Sequence, residues 1–156
     1  MTRGVLFAAT MAVGSVLTTI AAAQAPNAPA ARLAKAKALE CNFSVLATGT
    51  WTDGKPVAST KPASLTVSFT SIDTQDGTAD AAGDSGKAHI TVRLVGNYLT
   101  LMQMDAYGAL YVTTVFNTET KNGRLQAVHT RHEYTPVQLP GITSRPEQYY
   151  GDCAVK

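Results

Sequence analysis

Only 2 cysteines, 1 tryptophan and 3 histidines occur among the 156 residues, charged residues make up 15%, and the formal net charge is +2. Each scarcity excludes something. Two cysteines cannot make a disulfide-dense scaffold, and neither lies in a Cys-x-x-Cys pair or within four residues of a histidine, as a zinc or redox site requires. So small a net charge does not create the field that non-specific nucleic-acid binding needs. Gly-x-Ser-x-Gly is absent, and Ser85, in Gly83-Asp84-Ser85-Gly86, lacks the strand-to-helix elbow of that hydrolase motif. No glycine-rich phosphate loop precedes a helix. Asp73, Asp76, Asp80 and Asp84 crowd one region but miss the calcium-loop spacing, with Thr78 where glycine is required. No cofactor or metal is expected.

Long apolar runs are also missing, except at the start. Val5 to Ile20 is a mostly apolar stretch that contains Gly14, Ser15, Thr18 and Thr19, follows Arg3, and leads to Ala21 and Ala23, a small-x-small cleavage pattern. The run is shorter than the roughly 20 residues of a membrane span. Residues 1–23 therefore read as a signal peptide, and export to the periplasm or the extracellular space is expected, with no membrane span. Without Arg3 the chain carries 12 basic and 11 acidic groups. Residues 24–40 form an Ala-rich leader, flexible around Pro26 and Pro29, with propensity for a short helix over Ala30 to Glu40.

A single domain over 41–153 follows, with Cys41 and Cys153 at its edges. In an oxidising compartment a lone pair of cysteines bonds to itself, so the two are expected to form a disulfide that clasps the ends of the fold. Between them the apolar period is two, the period of a strand with one wet face. Phe43, Val45 and Ala47 alternate with Ser44, Leu46 and Thr48; Leu65, Val67 and Phe69 with Thr66, Ser68 and Thr70; Ile90, Val92 and Leu94 with Thr91 and Arg93. Leu110, Val112, Thr114 and Phe116 alternate with Tyr111, Thr113 and Val115.

Turn residues fall between these runs, among them Asp53-Gly54, Asp76-Gly77, Gly96-Asn97 and Asn122-Gly123. Strands are expected near 42–51, 63–73, 78–81, 87–95, 98–105, 109–117 and 123–134. Short connections favour antiparallel neighbours, so the fold class is all-β: a small up-and-down barrel or sandwich of about seven or eight strands. Residues 136–152, with Pro136, Pro140 and Pro146, read as a long irregular segment held by Cys153. Met102 and Met104 share a face with Tyr98 while Leu99 and Leu101 point the other way, so one strand is apolar on both faces.

Gly49-Thr50-Trp51 ends the first strand and contains the single tryptophan. It resembles the Gly-x-Trp signature of lipocalins and related calycin barrels. That resemblance implies a barrel with the Trp packed across its floor beneath a late-strand arginine, for which Arg124 and Arg131 are the candidates. The chain lacks the Thr-Asp-Tyr element of lipocalins and shows no C-terminal helix. Near the end of the domain, period two puts His129, Arg131 and Glu133 on one face and His132 on the other, so the two histidines cannot chelate one ion. A His-Arg-Glu row inside a barrel suits an anionic group. Tyr149 and Tyr150, apolar bodies with polar tips, suit a lid.

The leading expectation is thus a non-enzymatic ligand-binding or interaction module, with Trp51, His129, Arg131, Tyr149 and Tyr150 about a mouth that takes a small apolar or anionic ligand. A second is a protein-binding role as a secreted protease inhibitor whose N-terminal leader enters a cleft. Small bacterial inhibitors of secreted metalloproteases are similar in size and strand content and share a Gly-x-Trp near the start, though not this cysteine spacing. A third is a hydrolase-type enzyme with acid-base residues dispersed over the sheet. Oligomeric state is not legible at this level.

Overall fold

The period-two pattern builds strands throughout. In the computed structural model, which describes residues 28–84, 86–106, 108–132 and 146–156, one helix precedes eight strands. The helix is α1 (Ala28–Lys35), followed by β1 (Leu39–Thr52), β2 (Lys55–Asp73), β3 (Thr78–Gly83) and β4 (Gly86–Val95). Then come β5 (Tyr98–Met104), β6 (Leu110–Glu119), β7 (Leu125–His132) and β8 (Glu147–Val155). Every strand pairs antiparallel with its successor and β8 returns to β1, so the sheet closes into an up-and-down barrel, not a sandwich. Closure removes the free edges an open sheet of this size would leave. The expected signal peptide and residues 136–145 of the expected irregular segment lie outside the described residues.

Cys41 and Cys153 form the expected disulfide and are direct partners in the β1–β8 register. Both are fully buried in a core that includes Phe43, Leu65, Phe69, Val92, Leu101 and Val115. The leader is tied to the barrel at Leu33 and Ala36. Its helix ends at Lys35 instead of running to Glu40, and Leu33 and Ala36 are buried against one end of the barrel. The chain is fastened there by Ile72 N–H donating to the Lys37 carbonyl at 3.1 Å and Lys156 N–H to the Ala38 carbonyl at 3.1 Å. Arg32 pairs with Glu119 and donates to the Gly123 carbonyl at 3.2 Å. This end is closed by α1; the other, where β1 and β7 end and β8 begins, is the mouth.

Four expectations change. A register irregularity between Phe43 and Val45 leaves Ser44 and Val45 both facing water, so Leu46, not Val45 or Ala47, is the next core residue. On β6 the core face is Tyr111, Thr113 and Val115; Leu110, Val112, Thr114 and Phe116 point outward. Residues 147–152 belong to β8, which supplies buried Glu147, Tyr149 and Cys153 to the core. Finally, β2 begins at Lys55, eight residues before the strand expected from residue 63.

That last difference creates the most distinctive feature of the molecule. Among the described residues β8 pairs with β1 only as far as Thr48, and β2 meets β3 only from Ser68 onward, yet β1 and β2 stay paired out to Thr52 and Lys55. The β1–β2 ribbon therefore projects beyond the mouth as an arm. Asp53 (φ 50°) and Gly54 (φ 74°) turn it with two consecutive left-handed residues, the two-residue hairpin geometry that Asp-Gly favours.

Candidate functional site

Inside the mouth, β6, β7 and β8 place two rows of polar side chains in register: Thr113, His129 and Tyr149, and above them Tyr111, Arg131 and Glu147. Thr113 Oγ1 lies 2.8 Å from His129 Nδ1. The Tyr149 hydroxyl donates to Glu147 Oε2 at 2.7 Å, and the Arg131 guanidinium lies 5.7 Å from the centroid of the Tyr111 ring. The His129 ring is boxed by Phe43, Tyr149 and Tyr111 at 5.6, 6.1 and 6.4 Å between centroids. Burial, helped by Tyr149's hydrogen bond to Glu147, raises the Tyr149 phenol above its ordinary value.

Burial, with the Arg131 charge as a second cause, lowers His129 from 6.5 to about 4. The imidazole is therefore neutral at neutral pH and belongs to the core more than to a reaction centre. Above pH 6.5 it is neutral in both folded and unfolded chains; between 6.5 and about 4 only the unfolded chain takes up the proton, so stability falls as pH falls. The expected loss is roughly 3 kcal/mol between urea unfolding at about pH 7.5 and at about pH 4.5. His129→Asn should flatten that slope; a slope unchanged in the variant would assign it to other groups.

The five residues expected about one mouth do not all meet there. His129, Arg131 and Tyr149 do meet in the mouth. Tyr150 points to the opposite side of β8 and is 43% exposed. Trp51 is 74% exposed on the arm, so it neither packs across a barrel floor nor lies beneath an arginine. Arg124 instead pairs with Asp152 and donates to the Glu40 carbonyl at 3.1 Å. Glu133 and Ser85 lie outside the described residues.

Among the described residues the interior leaves little unfilled space. Unfilled space between Leu65, Phe69, Ile90, Leu101, Thr113 and His129 amounts to about 20 Å³. That is room for a water molecule, far below the roughly 300 Å³ at which small-molecule sites begin. Among the described residues no group of three His, Cys, Asp or Glu is placed to hold a metal ion. Asp80 and His89 approach to 2.9 Å on the outer face of β3 and β4. The hydrogen bond from His89, then one from Ser71, lowers the Asp80 carboxyl below its ordinary value.

The outside of the barrel is two-sided, which was not expected from the sequence. Cross-strand partners share a face. With Thr113 and His129 directed inward, the next outward row runs Thr114, Val128, Tyr150, Val45 and Pro62 across β6, β7, β8, β1 and β2. Above it lies Met102, Val112, Thr130, Gln148, Ala47 and Thr60, and the arm continues with Gly49 beside Ala58 and Trp51 beside Pro56. None of these is an acid, a lysine or an arginine, whereas the outward face of β3 and β4 carries Asp80, Lys87, His89 and Arg93. Five of the seven large apolar side chains left exposed, Val45, Trp51, Tyr98, Met104 and Tyr150, belong to the uncharged side. The signal available in the sequence was the strand apolar on both faces, Tyr98 to Met104.

Compared with protein-family models, with curated proteins and with solved structures, the chain matches none. No helix among the described residues is long and apolar enough to cross a membrane.

Proposed function

We propose that this chain is an exported, non-enzymatic binding module whose partner is another protein, engaged from outside the barrel by the β1–β2 arm and the uncharged wall beside it. The exposure of Trp51, 74% in the isolated chain, carries the reading. A side chain of this kind gains roughly 1.5–3 kcal/mol on burial, and tryptophan is enriched among the residues that dominate protein interfaces. An uncharged row along a wall continuous with it extends the contact. A ligand enclosed in the interior is less well supported, because about 20 Å³ accommodates neither an apolar molecule nor an anion larger than water. The inhibitor reading keeps its logic with a different element: Leu33 and Ala36 tie the leader to the barrel, whereas the arm reaches outward. Export is supported by the buried disulfide, a bond that persists outside the cytosol.

Placing a photo-crosslinking amino acid at Trp51 or Met104, in the cells that make the protein, is expected to trap one defined protein. The same probe at Lys87, exposed on the charged outward face of β3 and β4, is expected to trap none. With that partner purified, Trp51→Ser should weaken binding about 30-fold, equivalent to about 2 kcal/mol, at unchanged melting temperature. No adduct at either position, or full affinity of the variant, would overturn the reading.

A further inference from the structure

The arm exposes an edge as well as a face, and the two are different surfaces. In a hairpin with a two-residue turn, Thr52 and Lys55 form a hydrogen-bonded pair, so Val57, Ser59 and Lys61 direct their backbone groups to β1. Pro56, Ala58, Thr60 and Pro62 direct theirs away from it. Among the described residues no strand lies on that side of β2 before Ser68. The prolines stand where the missing N–H would face outward, which leaves Ala58 and Thr60 as residues with both donor and acceptor free to pair.

We infer that this edge pairs with the same edge of a second copy, antiparallel, about a two-fold axis near Ser59. The inference does not rest on the proposed partner, which takes the outer face. In this arrangement Ala58 exchanges both hydrogen bonds with Thr60 of the second copy and Thr60 with its Ala58, while proline lies opposite proline. Lys61 meets the uncharged Val57 of the other chain. Moving the axis to Ala58 sets Lys55 against Lys61, and moving it to Lys61 sets that lysine against itself; like charges directly opposite are destabilising. The fit in length agrees. The turn Asp53-Gly54 of one copy falls opposite Ser64 and Leu65 of the other, just short of Ser68, where β3 occupies the edge. The product is a four-stranded sheet, β1–β2 from each copy, with both Trp51 side chains on one face. A two-fold symmetric interface of this kind is the commonest form of oligomer.

Analytical ultracentrifugation of the disulfide-bonded chain lacking residues 1–23, from about 1 to about 200 μM, tests this, since self-association is read through protomer concentration. The expected result is a dimer at the upper end that falls to half the mass in Thr60→Pro, with the melting temperature of the barrel unchanged. Amide exchange at Ala58 and Thr60 in the unmodified protein should slow at least about tenfold between the dilute and concentrated samples, a readout that needs no variant. A monomer throughout, with exchange independent of concentration, would overturn the inference and make Pro56, Pro62, Lys55 and Lys61 guards against edge pairing. So would a dimer whose Ala58 and Thr60 amides exchange freely, since its contact would lie elsewhere.

Discussion

Replacing Cys41 and Cys153 together by alanine is expected to cost on the order of 4 to 5 kcal/mol, a large part of the stability of a domain this size. The bond closes a loop of 112 positions, and in the chain-entropy account its effect lies in the unfolded state, which loses the freedom of nearly the whole β domain. Urea unfolding of the double variant against the parent measures the difference through a lowered midpoint. Both cysteines are fully buried, so a thiol reductant should leave the bond intact under native conditions and cut it rapidly once urea opens the barrel. Equal reduction rates in the two conditions would mean that β1 and β8 part readily in the native protein.

Gly151→Ala is expected to be nearly as damaging, by roughly 3 kcal/mol or more. A Cβ at that position would lie 2.0 Å from the Asn42 carbonyl oxygen and 2.6 Å from Phe43 Cα. These are backbone atoms of β1, next to the register irregularity at Ser44, and they cannot rotate aside as a side chain would. The strand that closes the barrel would have to move. Gly49→Ala is the matched control, because its added methyl meets nothing within 4 Å and lies on the solvent-facing arm. It should leave stability almost unchanged or raise it slightly, since alanine restricts the unfolded chain more than glycine does. Denaturation midpoints of the two variants separate a specific close approach from a general intolerance of substitution in strands.

Legibility from the sequence followed the presence of a core to pack against. Where a strand has one face inside and one in water, as in Leu65–Phe69 or Ile90–Val92, alternation located it and chose the correct face. On β6 both faces are apolar, Leu110, Val112 and Phe116 against Tyr111, Thr113 and Val115, so period two announced a strand without saying which side was in. The part of β2 between Lys55 and Ser64 has no interior at all; its pairing with β1 is held by backbone bonds and contacts such as Thr48 Oγ1 to Ser59 Oγ at 3.0 Å, which leave no apolar period. β8 was hidden by Gly151, a residue that weakens strands in general and is required here because Asn42 comes so close. The disulfide was legible because two cysteines in a chain expected to be exported have few other uses. In the candidate site, His129 and Arg131 were legible as groups on one face of a late strand, whereas Tyr149 was expected on a lid in an irregular segment and instead faces inward from β8. Trp51 was misplaced because a Gly-x-Trp triplet does not reveal whether its strand continues past the barrel, and here, among the described residues, β1 pairs with β2 alone beyond Thr48.

An arm standing clear of the barrel is the premise for both the proposed partner surface and the paired edge, and one indole reports on it. Trp51 is the only tryptophan in the chain, so the emission spectrum of the folded protein is the spectrum of that side chain. The account predicts emission as far to the red as tryptophan in water, with iodide quenching almost as efficient as in the urea-unfolded chain. Blue-shifted emission shielded from iodide, in dilute folded protein, would put Trp51 inside the barrel and contradict the account.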